Sequence, residues 1–375
     1  MDFRIPLFDL NFGVEEEAAV LAALRSKWIS MGPNVRELES EFAARLGVDY
    51  AIGLTNCTAA LHLALKALDV GPGDEVIVPS LSFVATVNAV RYVGADPVFA
   101  DVKSLEDLSL DPEDVERRIT NRTKVILPMH FGGFAADMDP LMSLAQERKL
   151  AVVEDAAHAP ASKYGDQSLG AIGDIGCFSF FSNKNITCGE GGLLTTDNKE
   201  LATRVKLLRS HGMTTMSFER AKGHATSYDV LELGYNYRLD DVRGSLILAQ
   251  LGKLDEDVAR RSELRRLYEE GLSGVGEISV PYRNFPHQSS NYIMPVVLRE
   301  GGSERREGVR RAMAAKGIQT SVHYPAIHRF SIYERFGTAL PVTEHIADHE
   351  LTLPMYAALT GSQVREVCAV LKECV

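Results

Sequence analysis

The most restrictive feature of this sequence is the alternation of short apolar runs with amphipathic helices between residues 50 and 154. The runs are expected as strands over residues 50–54, 75–78, 98–100, 124–128 and 150–154. Stretches with helical periodicity separate them, which is the pattern of parallel strands joined by crossover helices. Helices cover both faces of such a sheet. The sequence therefore predicts an α/β fold with a large, mostly parallel sheet whose ligands bind at the carboxyl ends of the strands.

The second part of the chain is organised differently. Residues 240–270 are predicted to form one long helix that joins two domains. Strands are expected over residues 291–298 and 317–322, and helices over 304–316, 343–350 and 362–373. We interpret residues 1–250 as a large domain with an N-terminal helical segment and residues 251–375 as a smaller C-terminal α/β domain. The polar stretch 211–229 is long for a loop, and such loops are more often functional than inert.

Charge and cysteine content limit the partners and the compartment. The 375 residues carry a formal net charge of -11, which argues against nucleic acid or an anionic membrane as a partner. Any anionic ligand must then be held by a local site. The five cysteines are odd in number and show no C-x-x-C pair and no metal-binding spacing, so we expect no metal centre and a reduced, cytoplasmic protein. We also expect no secretion signal and no membrane span.

Candidate binding residues follow the first two predicted strands. Thr58 and Ala59 open a helix, where backbone N–H groups and a hydroxyl can bind a phosphate. The alternative is an ordinary helix cap at Asn56 or Thr58. Phe83 begins the helix after the second strand, where it serves either as core or as a stacking platform for a flat ring.

A carboxylate and a histidine follow the strand predicted at residues 150–154. Asp155 is expensive to bury unless it is paired, and a cationic ring nitrogen is one partner that would justify it. His158 comes three residues later and can reach the same ring. The alternative is that Asp155 caps the next segment and that His158 is a hydrogen-bonded structural residue.

Lys184 lies in a predicted tight loop, 182–190, between strands expected at 177–181 and 191–196. A surface lysine on a hairpin would look the same in isolation. Together, however, a phosphate site, an aromatic ring, a carboxylate and a lysine at successive strand ends match what pyridoxal 5'-phosphate (PLP) requires. The order and placement of these residues therefore predict a PLP site.

The same segments resemble the DegT-type (DegT/StrS) sugar aminotransferases, which are fold-type I PLP-dependent enzymes. The resemblance extends over essentially the whole chain. It rests on NCTAAL at 56–61, PSLSF at 79–83, EDAAH at 154–158, FSFFSNKNITCGEGG at 178–192 and GYNYRL at 234–239. One departure is Cys57, at a position that often carries glycine or alanine in such sequences. The resemblance implies a fold-type I PLP-dependent transferase.

The resemblance also assigns roles to particular residues. Lys184 would form the Schiff base, Asp155 would pair with the ring nitrogen and His158 would contact the ring hydroxyl. The other cofactor-binding residues that it implies are Thr58, Ala59 and Ser179 for the phosphate, Phe83 for stacking, and Asn236 for the phosphate of the neighbouring subunit. The last assignment implies a homodimer with shared active sites.

The implied activity is a ping-pong transamination through a Lys184 aldimine and pyridoxamine phosphate (PMP). The amino group would move from L-glutamate to C3 or C4 of a nucleotide-linked keto-deoxysugar. A related branch of sugar dehydratases has histidine in place of the lysine, so Lys184 favours transamination. Two alternatives remain open: an aminotransferase that acts on a keto cyclitol, and a PLP-binding regulator without turnover.

Candidates for substrate binding lie in polar loops that could border the cleft. They are His211, Arg238, His323, Tyr324 and His328. Each is also explained as an ordinary surface residue, because loops are generally polar. Arg238 has a further alternative, since it can bind a carboxylate or phosphate or simply pair with Asp240 or Asp241.

Overall fold

The computed structural model describes residues 3–214 and 227–375. Most of the polar stretch predicted to be functional, 211–229, lies outside the described residues, so that interpretation stays a prediction. The helices are α1 Val14–Arg25, α2 Pro33–Leu46, α3 Cys57–Ala67, α4 Val84–Tyr92, α5 Pro112–Arg118, α6 Met138–Arg148, α7 Lys199–Leu208, α8 Asp241–Leu251, α9 Leu254–Gly271, α10 Gly302–Ala315, α11 Pro341–His349 and α12 Gly361–Cys374.

The strands form one large sheet and two small ones. Their bounds are β1 Tyr50–Leu54, β2 Glu75–Pro79, β3 Asp96–Ala100, β4 Thr123–Ile126, β5 Ala151–Asp155, β6 Lys163–Tyr164, β7 Gln167–Ser168, β8 Ile175–Ser179, β9 Gly192–Thr196, β10 Ile278–Ser279, β11 Met294–Leu298 and β12 Glu350–Leu353. The large sheet has the order β1-β9-β8-β5-β4-β2-β3. The five strands predicted before residue 155 are confirmed, and so is the mostly parallel, helix-covered α/β fold.

Strand β9 is the antiparallel member of the large sheet. It pairs antiparallel with both β1 and β8, whereas β8, β5, β4, β2 and β3 are mutually parallel. The reason lies in the connection from β8 to β9, because a parallel return needs a crossover, usually with a helix, and this loop has none. The chain turns back instead, and Lys184 is left on the loop at the carboxyl end of β8.

The start of α3 packs in close backbone contact with the start of β9. A Cβ atom at Gly192 would lie 2.2 Å from the carbonyl carbon of Asn56, so only glycine fits there. The pairing of Leu54 with Gly192 fixes the same register between β1 and β9. The first turn of α3 and the Lys184 loop therefore meet at one edge of the sheet.

The small sheet corrects one strand prediction. Its order is β10-β11-β12, all antiparallel, and its third strand comes from Glu350–Leu353. The segment 317–322, which we predicted as a strand, makes only the isolated bridges Ile5↔Ile318 and Ser321↔Thr352 among the described residues. The third strand, Glu350–Leu353, was not predicted because it is short, buried and directly follows helix α11, so its apolar residues continue the apolar pattern of the helix.

The long helix predicted at 240–270 is two helices, α8 and α9, that are separated at Gly252 and Lys253. Leu254 and Val258 of α9 pack into the core beside the large sheet. Leu264 and Tyr268 of the same helix pack into the core of the small sheet. Helix α9 therefore bridges two cores, while the division of the chain at residue 250 stays a prediction.

None of the helices in the described parts of the chain is both long enough and apolar enough to cross a membrane.

Candidate active site

A cavity of about 950 Å³ opens at the carboxyl ends of the parallel strands. It is lined by seven of the eight residues predicted to bind the cofactor, namely Thr58, Ala59, Phe83, Asp155, His158, Ser179 and Lys184. These residues come from four separate segments of the sequence. The fold brings them together because each ends or follows a strand whose carboxyl end lies at this edge, or lies in the loop between β8 and β9.

Lys184 reaches the cavity from that loop. Its backbone N–H donates to the carbonyl of Phe181 at 2.9 Å, which closes a tight turn. The Nζ atom lies 4.2 Å from the centre of the Tyr292 ring. Burial lowers the pKa of Lys184 to about 7, and the nearby Asp155 only partly opposes this shift. A large fraction of the amine is therefore neutral near pH 7, as a nucleophile or a base requires.

Asp155 is the last residue of β5 and is 3% exposed. One carboxylate oxygen accepts a hydrogen bond from the Thr86 hydroxyl at 2.7 Å, and the other accepts from the Ala157 N–H at 3.1 Å. Burial raises the pKa of this carboxyl, while these two hydrogen bonds and Lys184 lower it. A buried carboxylate with neutral donors on one side is suited to hold a cation on the other.

The residue before it, Glu154, has a structural function. It is completely buried and accepts hydrogen bonds from the N–H groups of Gly170 and Gly173, both at 2.7 Å. His130 binds the same carboxylate through Nε2 at 2.9 Å. Because Nδ1 of His130 accepts from the Ala136 N–H at 3.2 Å, Nε2 carries the proton and donates it to Glu154. These contacts fix the end of β5, which carries Asp155.

His158 is held as a neutral ring in one tautomer. Burial and the charge of Lys184 keep its pKa well below the usual value. Nδ1 accepts from the Gly132 N–H at 3.2 Å, so the proton lies on Nε2, which is 3.1 Å from the Tyr324 hydroxyl. His158 therefore donates to Tyr324, and the hydroxyl hydrogen of Tyr324 is free to point elsewhere. Burial keeps the pKa of Tyr324 well above its usual value, so this hydroxyl stays protonated.

The first turn of α3 contains the cap that the sequence left open as an alternative. The side chain of Asn56 accepts from the Ala59 N–H at 2.8 Å. The amides of Cys57 and Thr58 lie before that point and have no acceptor within the helix. With the hydroxyls of Thr58 and Ser179 they line the cavity and form a neutral donor set for an anion.

Phe83 is not a core residue, because it is 55% exposed and lies at the cavity. Its ring centre is 5.9 Å from that of Tyr324. The stacking alternative therefore agrees with its position.

Four of the five substrate candidates divide into two groups. His323 and Tyr324 line the cavity. His211 is exposed and does not line it. His328 is a buried structural residue whose Nδ1 lies 2.7 Å from the Ser80 hydroxyl, and whose Nε2 lies 3.3 Å from a carboxylate oxygen of Glu344. The structure thus does not bring His211 or His328 to the cavity of this subunit.

Arg238 follows the cavity residue Tyr237 in sequence, and among the described residues it forms neither predicted ion pair. Asp240 pairs with Arg243 at 2.8 Å, and Asp241 accepts from the backbone N–H of Val35 at 3.1 Å. Within residues 3–214 and 227–375, Nη1 of Arg238 is buried and has no hydrogen-bond partner. Burial and the nearby Arg209 lower the pKa of Arg238. An anion-binding role for it stays a proposal.

Asn236 is the one predicted cofactor residue outside the cavity. It is exposed, whereas Tyr235 and Tyr237 on either side of it line the cavity. Alternation of this kind is what an extended segment produces. The side chain of Asn236 is therefore directed away from the cavity of its own subunit.

Two cavity residues with clear contacts escaped the sequence analysis. Thr86 supports Asp155, and its signal was its place one turn into the helix that Phe83 opens. Tyr292 contacts Lys184, its ring lies tilted against that of His158 with ring centres 4.2 Å apart, and its hydroxyl donates to Asn183 at 2.9 Å. Nothing local distinguishes Tyr292, because it lies just before a strand of the other sheet.

The residues present fit PLP. Asp155 is placed to hold a protonated pyridine nitrogen, and Lys184 offers an amine with a lowered pKa for the aldehyde. The donors at the start of α3 and on Ser179 suit the phosphate, and Phe83 can cover one ring face. No metal-like cluster of histidine, cysteine, aspartate and glutamate occurs among the described residues.

Comparison with known proteins gives a consistent result. The sequence model of the DegT/DnrJ/EryC1/StrS aminotransferase family matches residues 11–372. The spore coat polysaccharide biosynthesis protein SpsC of Bacillus subtilis is 36% identical over 382 residues, which span 100% of this chain and 97% of that protein.

Solved structures of two proteins show the same agreement. A putative sugar aminotransferase from Streptococcus pneumoniae in its PMP form is 28% identical and superimposes with a TM-score of 0.93 over 99% of both chains. The PLP form of that protein gives a TM-score of 0.92. The aminotransferase TlmJ from Streptoalloteichus hindustanus is 33% identical, with a TM-score of 0.91 over 99% of this chain and 98% of that one.

Proposed function

Since this chain belongs to the DegT/DnrJ/EryC1/StrS aminotransferase family and is a PLP-dependent sugar aminotransferase of fold type I, we propose the identity of its substrates. The amino acceptor is a nucleotide-linked keto-deoxysugar that receives the amino group at C3 or C4. The amino donor is L-glutamate. The two substrates enter the same site in turn.

The observation that carries this proposal is the amine of Lys184 in a cavity of about 950 Å³. That volume is at the upper end for small-molecule sites, so it leaves room for a second ligand beside the cofactor. The relative from Bacillus subtilis is named for polysaccharide biosynthesis. Polysaccharides are built from activated sugars, which favours a nucleotide-linked sugar over a free cyclitol.

The residues of the cavity divide the work of proton transfer and binding. When bound, PLP supplies an aldehyde that condenses with amines and a protonated ring that withdraws electrons from the neighbouring carbon. Lys184, as a neutral amine, would take a proton from the carbon of the amino donor and would deliver it to the cofactor carbon that carried the aldehyde. Asp155 keeps the ring nitrogen protonated because a buried carboxylate stabilises a cation beside it.

Asn236 supports a shared active site. Because its side chain is exposed while its two neighbours line the cavity, it is free to contact a second subunit. We propose a homodimer in which Asn236 reaches the cofactor phosphate of the other subunit. Mixing inactive Lys184→Ala and inactive Asn236→Ala subunits should then restore part of the activity, since one site in each heterodimer would have both residues. No rescue on mixing would count against the shared site.

The five cysteines are free thiols, which agrees with the reducing, cytoplasmic setting that we propose for this enzyme.

The decisive experiment is an assay of amine product with a panel of keto sugar nucleotides and keto cyclitols. We expect product from at least one sugar nucleotide with L-glutamate as donor and none from Lys184→Ala. The matched control is Lys199→Ala, which removes an exposed lysine on α7 and should keep wild-type activity. Amination of a cyclitol and of no sugar nucleotide would refute the proposed acceptor in favour of the first alternative.

The second alternative, a PLP-binding regulator without turnover, is disfavoured because the chain belongs to an aminotransferase family, and the reaction with glutamate tests it. Glutamate should convert the bound cofactor to its amino form in the wild type, with a change in visible absorbance, and should not do so in Lys184→Ala. If both proteins keep the same spectrum after glutamate is added, turnover with glutamate as the donor is excluded.

A further inference from the structure

One face of β12 carries two polar residues where an apolar strand would be expected. Glu350 and Thr352 are two residues apart and therefore point to the same side of the strand, and both are 0% exposed. Leu351 and Leu353 point to the other side and pack into the core of the small sheet. A carboxyl group is costly to bury, so its surroundings must account for it.

The polar face of β12 is connected to the cavity through His323. The backbone N–H of His323 donates to one carboxyl oxygen of Glu350 at 2.7 Å. The other oxygen of Glu350 is 2.5 Å from the Thr352 hydroxyl, which is 2.8 Å from Nδ1 of His323. His323 lines the cavity together with Lys184. Because Thr352 holds Nδ1, Nε2 is the ring nitrogen left for a ligand.

This chain of hydrogen bonds has two consistent arrangements of protons. If Glu350 is protonated, it donates to Thr352, Thr352 donates to Nδ1, and the ring proton of His323 lies on Nε2. If Glu350 is ionised, it accepts from Thr352, Thr352 accepts from Nδ1–H, and Nε2 is an acceptor. The protonation state of Glu350 therefore decides whether His323 offers the cavity a donor or an acceptor.

The charges around these hydrogen bonds decide between the two arrangements of protons. The groups that face it are Arg306 and Arg310 of α10 with their partner Glu307, the Tyr324 hydroxyl, His158, and Lys184 across the cavity. Burial raises the pKa of Glu350 to about 8, although its hydrogen bonds and the two arginines oppose the shift. Burial and Lys184 lower the pKa of His323 to about 4. At pH 7 the carboxyl is thus protonated and the imidazole neutral.

We propose that Glu350 is a positioning residue that, through the Thr352 hydroxyl, fixes the ring proton of His323 on Nε2, so that His323 donates a hydrogen bond to an oxygen of the sugar acceptor. The proposal rests on the proposed function for the nature of the acceptor. Sugars and their keto derivatives present oxygen acceptors, which an Nε2–H donor suits. Tyr324, the next residue, offers its own hydroxyl hydrogen, so one loop supplies two donors.

The test is the tautomer of His323, measured by long-range ¹H–¹⁵N spectra of the ¹⁵N-histidine-labelled holoenzyme and assigned with His323→Gln. In the wild type we expect the proton on Nε2 at neutral pH and a shift to Nδ1 once Glu350 ionises. In Glu350→Gln the amide NH₂ replaces the carboxyl proton as the donor to Thr352, so the proton should stay on Nε2 at both pH values. An unchanged wild-type tautomer across this range would overturn the proposal.

Thr352 supplies the matched pair of variants. Thr352→Val keeps the shape of the side chain but removes the hydroxyl that connects Glu350 to His323. The tautomer of His323 should then no longer depend on the protonation state of Glu350. Thr352→Ser keeps the hydroxyl and should behave as the wild type. If the tautomer of His323 still depends on Glu350 in Thr352→Val, the proposed connection through the Thr352 hydroxyl is refuted. No substrate is needed for these spectra, so a wrong sugar assignment and a wrong relay fail in different experiments.

A kinetic measurement connects the tautomer to function. With the keto acceptor identified by the panel, Thr352→Val should lower kcat/KM by about five- to tenfold, the effect of one lost neutral hydrogen bond, and Thr352→Ser should restore it. Equal losses in both variants would indicate a packing effect and refute the role in positioning.

Discussion

Replacing Glu350 by glutamine is expected to remove a contribution that lowers the free energy of unfolding as the pH rises through the mildly acidic to neutral range. Glu350 is fully buried on β12, and burial raises the pKa of its carboxyl from 4.5 to about 8. A group whose pKa is raised on folding stabilises the native state most at pH values below its unfolded pKa. That contribution is lost as the pH rises through the folded pKa.

The magnitude follows from proton counting. Between about pH 5.5 and about pH 7.5 the native protein keeps the Glu350 proton and the unfolded chain does not, so stability falls by about 1.4 kcal/mol per pH unit. Over this interval the loss from Glu350 is about 2 to 3 kcal/mol. Buried histidines such as His158 and His323 titrate in the same range with the opposite sign, but they are present in both proteins and cancel in the difference.

The assay is urea unfolding of the wild type and Glu350→Gln at several pH values, at one protein and PLP concentration because binding also shifts stability. The quantity of interest is the difference between the two slopes. Glu304→Gln, at an exposed position on α10, is the matched control and should keep the wild-type slope. Equal slopes in the wild type and Glu350→Gln would show that this carboxyl is already ionised in the native protein, and the reasoning would fail.

Three further outcomes are expected from the site. Gly192→Ala would place a methyl group 2.2 Å from the backbone at the start of α3, so it should cost about 3 kcal/mol or more of stability and weaken PLP binding in equilibrium titration, whereas Gly71→Ala, which meets nothing within 4 Å, should be near neutral. Thr86→Val removes the 2.7 Å hydrogen bond to Asp155 and should weaken PLP binding by about tenfold, measured by absorbance titration, and unchanged affinity would refute this role. Phe83→Ala should weaken PLP binding while changing the unfolding free energy of the apoprotein by only about 0.5 kcal/mol, because the ring is 55% exposed.

The sequence predicted the part of the site that depends on strand ends. Asp155, Phe83 and Thr58 each follow a strand of the large sheet, and parallel topology forces such residues to one edge. Lys184 was predictable for the same reason, since its loop joins two strands of that sheet. Local pattern and topology were sufficient for these residues.

Residues that lie on or beside the small sheet were not predictable in this way. Tyr292 reaches the cavity, and Thr352 reaches His323, through the packing of the small sheet, which no short-range spacing in the sequence indicates. Glu350 was assigned to the end of a helix, because a short buried strand directly after a helix does not interrupt its apolar pattern. His323 and Tyr324 were identified as loop candidates, but their hydrogen-bond roles depend on partners far away in sequence.

Helix α9 has a mechanical consequence for the enzyme. Its first turns are anchored in one core through Leu254 and Val258, and its last turns are anchored in the other through Leu264 and Tyr268. The helix therefore acts as a stiff strut between the sheet that carries Lys184 and the sheet that supports His323. Melting of either core would expose part of α9, so the two cores should stabilise each other.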